Sequence, residues 1–167
     1  PASNVEDWIG LTLESISGQT EQSLEVLVVD DGSSDATRDV VADFSARDER
    51  VRLLTNPGTG GAQARNHAIA QARGEFLAFA DGDDIVPERA YELLLAQAGI
   101  SGNDMVVGNH VTSEPQRLAK RSQSLPIYAS VRSGPKIDEE PQFLRDRVCW
   151  NRIIRRSTWN RPGLEFS

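Results

Sequence analysis

The chain is short of cysteine, of basic charge and of long apolar runs, and each shortage removes a class of protein. Cys149 is the only cysteine among 167 residues, so an internal disulfide framework and a cysteine-rich zinc site are both excluded. A reducing, cytoplasmic setting is the simple inference. Lys and Arg number 18 against 25 Asp and Glu, for a formal charge of -7, the reverse of the footprint that neutralises nucleic-acid phosphates. No nucleic-acid partner is expected. Nothing approaches the roughly 18 apolar residues of a membrane span, and no basic segment followed by an apolar one opens the chain. A transmembrane segment is therefore not expected, and any attachment to the inner face of a membrane has to come from elsewhere. The two histidines, His67 and His110, are not spaced as a pair of metal ligands.

The length allows one α/β domain with some peripheral structure. Ile9, Leu13 and Ile16 recur at helical spacing, so residues 6–17 are expected as an amphipathic helix. Residues 24–29 (LEVLVV) follow as a buried strand that ends in acid, Asp30-Asp31-Gly32-Ser33-Ser34-Asp35, before Val40, Val41 and Phe44 give a second helix its apolar face. The unit repeats. Residues 51–55 read as a strand, 56–61 (NPGTGG) as a loop and 62–72 as a helix that Gly74 could end. Residues 75–80 form the next strand, again running into acid as Asp81-Gly82-Asp83-Asp84, and Pro87 opens a helix with Tyr91, Leu94, Leu95 and Ala98 on one face. The last clear strand is 104–109. Alternation of this kind predicts a mostly parallel sheet covered on both faces, with ligands bound beyond the strand C-termini, where both acidic clusters fall. Residues 111–141 lose all period and read as a loop or lid. Apolar residues return with Val148, Trp150, Ile153 and Ile154, so 143–156 is expected to fold back onto the domain.

An acidic protein that binds a diphosphate must gather positive charge locally, from arginines, helix N-termini or a divalent cation. A cation on such a ligand takes few protein carboxylates, because phosphate oxygens and water supply the rest. An Asp-x-Asp at a strand end offers this partial shell: alternation would let Asp81 and Asp83 converge, Gly82 would let backbone approach the ligand, and Asp84 adds a third carboxylate. Turn-forming Asp and Gly are also simply structural. Asp30 and Asp31 can accept hydrogen bonds from a base N–H or ribose hydroxyls, or else cap the next helix. Arg65, one turn into its helix, is placed to reach a base or phosphate. The cluster Arg145, Arg147, Arg152, Arg155 and Arg156 is either a solvated face or a surface for acceptor phosphates.

In combination, these motifs resemble glycosyltransferase family 2: Pro1 to Asn4 as a PxxN start, then LEVLVVDDGSSD, NPGTGGAQARN and GEFLAFADGDDIVPERA in that order, with RDRVCWNRIIRRSTW in the tail. The resemblance implies a GT-A (Rossmann-like) three-layer α/β sandwich with residues 1–112 as the nucleotide-sugar-binding core, 113–142 as loop or lid, and 143–167 as the start of an acceptor-side region. It implies that Asp31 faces the nucleobase with Asp30 in support, that Arg65 contacts the nucleotide, that Asp81 lies near the ribose, and that Asp83 or Asp84 ligates Mn²⁺ or Mg²⁺. The implied reaction is inverting transfer from a nucleotide diphosphate sugar, a UDP-sugar above all, to a hydroxyl of a glycan or polyol acceptor, in cell-envelope polysaccharide or wall-polymer synthesis.

Two departures accompany the resemblance. The hydrophobic strand that members carry before PxxN is absent, and the Glu-Asp pair holding the catalytic base would fall past Ser167. Glu139, Glu140 and Glu165 are poor substitutes. The chain therefore reads as part of a longer polypeptide whose base is unknown. Three other readings compete: a catalytically inactive nucleotide-sugar-binding module, a phosphoacceptor receiver domain, and a nucleotidyltransferase. The receiver lacks its late strand-end lysine, since the first lysine is Lys120, and the nucleotidyltransferase lacks a basic glycine-rich loop at its start.

Overall fold

The computed structural model describes residues 1–109, 112–114, 117–121, 149–160 and 163–167. Helix α1 (Ile9–Ser17) buries Ile9, Thr12, Leu13 and Ile16. It begins three residues later than the sequence period suggests because Glu6 is drawn aside: its N–H donates to Asp35 Oδ2 at 3.1 Å and its carboxylate accepts the Ala36 N–H at 2.6 Å. Strand β1 (Val26–Asp30) pairs in parallel with β2 (Val51–Thr55), from Val26 opposite Val51 to Asp30 opposite Thr55. Between them in sequence, α2 (Thr37–Ser45) sets Val41 into the core. Ala2, Ile9, Leu13, Val28, Val41 and Val51 form one apolar cluster, in which each large aliphatic side chain contributes about 1.5–3 kcal/mol by leaving water.

Helix α3 (Gly61–Gln71) buries only Ala64 completely. Strand β3 (Phe76–Ala78) is short, and α4 (Ala90–Ser101) begins three residues after Pro87 and ends at Gly102, whose φ of +66° suits glycine. The start of α4 is fixed by Gln19, which is fully buried. Its amide nitrogen donates to the carbonyls of Ser15, Val86 and Pro87, and its oxygen accepts the Tyr91 N–H. Strand β4 (Met105–Val107) follows, then an antiparallel hairpin of β5 (Thr112–Glu114) and β6 (Arg117–Arg121) at the head of the stretch expected to be irregular.

Strand β7 (Arg152–Arg155) inserts between β3 and β4, antiparallel to both, and leads into the four-residue α5 (Arg156–Trp159). Strands β3 and β4 therefore run in the same direction, like β1 and β2, and β7 is the reversed member. Its arginines hold it there: Arg155 pairs with Glu75 and, at 3.2 Å, with Asp104, while Arg156 Nε donates to Gly74 O at 2.7 Å. The part of the basic cluster formed by these two arginines is thus spent on strand insertion and does not present an open phosphate-binding face. Arg145 and Arg147 lie outside the described residues.

Among the described residues β1 and β3 do not hydrogen-bond to each other. The slot between them holds a cavity of about 460 Å³ lined by apolar side chains such as Leu13, Val28, Ile69, Leu77 and Ile153, with Arg65 and Asp81 also on its lining. Its one backbone rung is Ala2, whose N–H donates to Val29 O at 2.9 Å and whose carbonyl accepts the Asp31 N–H at 2.8 Å in a parallel bridge.

Candidate functional site

Sequence proximity hides very different duties for Asp30 and Asp31. Asp30, the last residue of β1, is 1 % exposed; it accepts hydrogen bonds from Arg38 Nη1 at 3.0 Å and the Ser33 N–H at 3.3 Å. Burial pushes its carboxyl up, but these donors outweigh that and hold it below its ordinary value. Asp31 reaches across to the 56–60 loop, accepting from Asn56 Nδ2 at 2.7 Å and from the Gly60 N–H at 2.8 and 3.0 Å. Gly60 has a φ of +92°, which only glycine adopts freely. Neither aspartate caps α2. Asp35 accepts the Thr37 N–H at 3.0 Å and so serves that end. Asn4 ties the same turn to the chain start: its side chain accepts from Ser34 N–H and hydroxyl, and its own N–H donates to Ser33 Oγ. It does so from the left-handed region, at φ +51°.

Arg65 and Asp81 form an ion pair between α3 and the segment leaving β3, with side chains 18 % and 37 % exposed. The guanidinium Nε is buried and has no hydrogen-bond partner among the described residues. An unmet donor of this kind costs about 1–3 kcal/mol. Asp31 holds Gly60, the residue just before α3, and Arg65 stands one turn into that helix and pairs with Asp81 beyond β3. The nucleotide-contact candidates Asp31, Arg65 and Asp81 are thus linked through the start of α3. The half-buried Cys149 thiol beside them is pushed up, chiefly by burial, so it is no ready thiolate nucleophile.

Strand alternation does not bring Asp81 and Asp83 together, because β3 stops at Ala78 and residues 82–83 form a turn. Gly82 is not a ligand approach either. A Cβ there would stand 3.0 Å from Val5 Cγ2 and 3.5 Å from Ile9 Cδ1, while its carbonyl accepts Thr12 Oγ1 at 2.9 Å; glycine is needed because α1 packs directly on this turn. Asp84 closes the turn, with its N–H donating to Asp81 O and its Oδ2 accepting the Asp81 N–H, both at 3.1 Å. Its charge also adds to burial in pushing Tyr91 up to about 12. Asp83 alone is exposed and makes no hydrogen bond or ion pair with described residues.

No three acidic, histidine or cysteine side chains among the described residues are placed to hold a metal by themselves. Of the two expected ligands Asp83 is exposed and Asp84 is engaged in the turn, so the residues fit a cation that takes few protein oxygens and draws the rest of its shell from elsewhere. Glu165 does not join the site. It is exposed on a shallow groove with Asn66, Ile69, Trp159 and Leu164, apart from the Arg65–Asp81 cavity. Sequence reasoning missed Asn4, Asn56 and Gln19, whose side chains bond to distant loops and carry no periodic signal.

The large cavity is lined mostly by apolar side chains from strands and from α1, α3 and α4, and it meets the site residues at Arg65, Asp81 and Gly82. No described helix is long and apolar enough to cross a membrane.

The chain is 32 % identical over 166 residues to the putative glycosyltransferase EpsH of Bacillus subtilis, covering 98 % of this chain and 47 % of EpsH. It is 40 % identical over 111 residues to the UDP-Glc:alpha-D-GlcNAc-diphosphoundecaprenol beta-1,3-glucosyltransferase WfgD of Escherichia coli, covering 66 % of this chain and 43 % of WfgD. It thus spans about half or less of the length of these relatives. Among solved structures, S. aureus TarS residues 1–349 in complex with UDP-GlcNAc superimposes with a TM-score of 0.83 at 22 % identity, over 100 % of this chain and 47 % of that one. That likeness shows the GT-A fold, which the sequence motifs implied. The family model described as Glycosyl transferase family 2 matches residues 1–160, and with the EpsH identity over nearly the whole chain this settles the assignment: the protein belongs to glycosyl transferase family 2.

Proposed function

We propose that this chain carries the donor-binding part of an inverting glycosyltransferase that takes a sugar from a nucleotide diphosphate sugar, a UDP-sugar above all, and delivers it to a hydroxyl of a glycan or polyol acceptor. The observation that carries the reading is the Arg65–Asp81 pair, whose guanidinium keeps an unmet donor one helical turn beyond the Gly60 N–H that Asp31 accepts. WfgD, a UDP-Glc-dependent relative, supports the choice of UDP. The biosynthetic names among the relatives, such as the teichuronic acid protein TuaG of Bacillus subtilis, support a cell-envelope polymer as the product. The single free cysteine fits work on the cytoplasmic side.

In this reading Asp31 retains acceptor capacity for the base while its present bonds hold the 56–60 loop in place, and buried Asp30 fixes the turn behind it. Arg65 donates to the nucleotide, and Asp81 orients Arg65 and lies beside the ribose. Asp83, with Asp84, would hold Mn²⁺ or Mg²⁺. When bound, the cation supplies Lewis-acid stabilisation of the departing diphosphate. The acceptor hydroxyl attacks the anomeric carbon as its proton passes to a carboxylate base, a role that falls to no described residue.

Calorimetric titration with UDP, GDP and ADP tests the reading. Tightest binding to UDP, with a loss of about tenfold or more in Arg65→Ala, is expected from one charged hydrogen bond. Equal, weak binding of all three, unaltered in Arg65→Ala, would remove its basis. Transfer or hydrolysis of UDP-sugars separates the enzyme from a binding module: donor binding without turnover favours the module.

A further inference from the structure

Arg65 is held from a second side by a part of the chain that the nucleotide site does not include. Asn66, its neighbour on α3, exchanges two hydrogen bonds with the backbone of Phe166: Nδ2 donates to the Phe166 carbonyl at 2.8 Å, and Oδ1 accepts the Phe166 N–H at 3.0 Å. The ring this places lies under the Arg65 guanidinium, 5.6 Å from centroid to Cζ. It is itself stacked on Trp159, centroids 5.0 Å apart and 29° between planes, and meets Phe79 edge-on at 5.3 Å. Phe79 lies just past the end of β3 and Trp159 ends α5, so the Phe166 ring is seated by two elements outside α3.

The arrangement matters because α3 is otherwise lightly anchored, with Ala64 its only fully buried residue. Among the described residues Arg65 has one ion-pair partner, Asp81, and an unmet Nε. Without a second restraint its long side chain would sample many rotamers, and a ligand would have to bear the ordering entropy. An aromatic face restrains a guanidinium while leaving its in-plane N–H donors available.

We propose that Phe166, clamped by Asn66, is a positioning residue for Arg65: it braces the guanidinium against its pair with Asp81 so that its donors are presented to the donor nucleotide. This rests on the reading of Arg65 as a nucleotide contact. UDP titrations of the native chain, Phe166→Leu, Phe166→Tyr, Asn66→Ala, Arg65→Ala and the double variants Phe166→Leu/Arg65→Ala and Asn66→Ala/Arg65→Ala test it, with melting curves to confirm that each is folded. Phe166→Leu keeps apolar bulk but removes the ring face, and about fivefold weaker UDP binding is expected. Phe166→Tyr should bind within about twofold of native, because the ring face is kept. In the Arg65→Ala background Phe166→Leu should change nothing further, since its effect passes through the guanidinium. Asn66→Ala leaves the ring in the chain but frees its backbone, giving an independent reading if the leucine variant does not fold; it should weaken binding in the native background and not in Arg65→Ala. Effects of Phe166→Leu and Asn66→Ala that persist undiminished without Arg65, or are absent while Arg65→Ala itself weakens UDP, overturn the positioning role. UDP binding that ignores Arg65→Ala overturns the nucleotide reading instead.

Discussion

Replacing Gly82 by alanine should loosen the acidic turn from α1, and the size of the effect follows from three contacts. The added methyl would lie 3.0 Å from Val5 Cγ2, 3.5 Å from Ile9 Cδ1 and 3.6 Å from the Pro1 carbonyl. Ile9 is 2 % exposed and cannot withdraw into solvent, and Val5 is β-branched and confined in χ1. The turn must therefore move by a few tenths of an ångström, straining the bond from Thr12 Oγ1 to the Gly82 carbonyl, now 2.9 Å. Overpacking of one methyl costs about 1–3 kcal/mol. Because Val5 is only half-buried, the lower half of that range applies, and a melting temperature about 2–8 °C lower is expected at this chain length. The same shift carries Asp81 and Asp83, so UDP affinity should fall about threefold, equivalent to ~0.7 kcal/mol. Thermal melts followed by circular dichroism give the first quantity and calorimetry the second. The double variant Val5→Ala/Gly82→Ala provides the control: it should be more stable than the sum of its parts, because truncated Val5 makes room for the new methyl. An unchanged melting temperature in Gly82→Ala, or strictly additive effects in the pair, would refute the contact argument.

Arg65→Lys keeps a positive charge beside Asp81 but deletes the unmet Nε and the planar fork; UDP should bind about tenfold more weakly while the melting temperature stays within a few degrees, and undiminished UDP affinity would contradict the role given to the guanidinium. Asp30 and Glu25 both sit below their ordinary values of 3.8 and 4.5, burial notwithstanding, through Ser33 and Arg38 in one case and the Arg73 and Gly74 amides in the other. A depressed carboxylate contributes stability that is present above its unfolded value and lost as the pH falls toward the folded one, so the melting temperature should fall steadily once the pH drops below those ordinary values. Asp30→Asn should be less stable than native by about 1–3 kcal/mol at pH 7, the partly exposed Arg38 limiting the loss, and its acid slope should be shallower; an unchanged slope would show that Asp30 does not couple to folding. Asn4→Ala should destabilise the turn after β1 by about 1 kcal/mol per hydrogen bond lost, compounded by the left-handed φ of +51° that alanine tolerates poorly, and a melt identical to native would contradict this.

The sequence made the repeating strand, acid and helix order legible because its signals are local. LEVLVV is too apolar and β-branched for a surface element, and Ile9, Leu13 and Ile16 repeat at helical spacing. What it hid depends on contacts distant in the chain. Glu6 leaves the α1 period because Asp35 and Ala36 bind it, and α4 starts late because Gln19 satisfies its first turn. Strand β7 lies between β3 and β4 although more than forty residues separate it from either; no local period announces an insertion of that kind. The same distinction runs through the site. Asp30, Asp31, Arg65 and Asp81 stood out by residue type at strand and helix ends, whereas the division of labour between Asp83 and Asp84, and the part played by Phe166, follow from turn geometry and ring packing.

A donor nucleotide held by Arg65 and by a cation at Asp83 should show itself in UDP titrations with Mn²⁺ and then with excess chelator, on the native chain and Asp83→Ala. Native affinity should fall about tenfold or more on chelation, as the phosphate oxygens lose their shared cation, and Asp83→Ala should bind weakly with or without Mn²⁺. Equal UDP affinity for the native chain with metal and with chelator would contradict it.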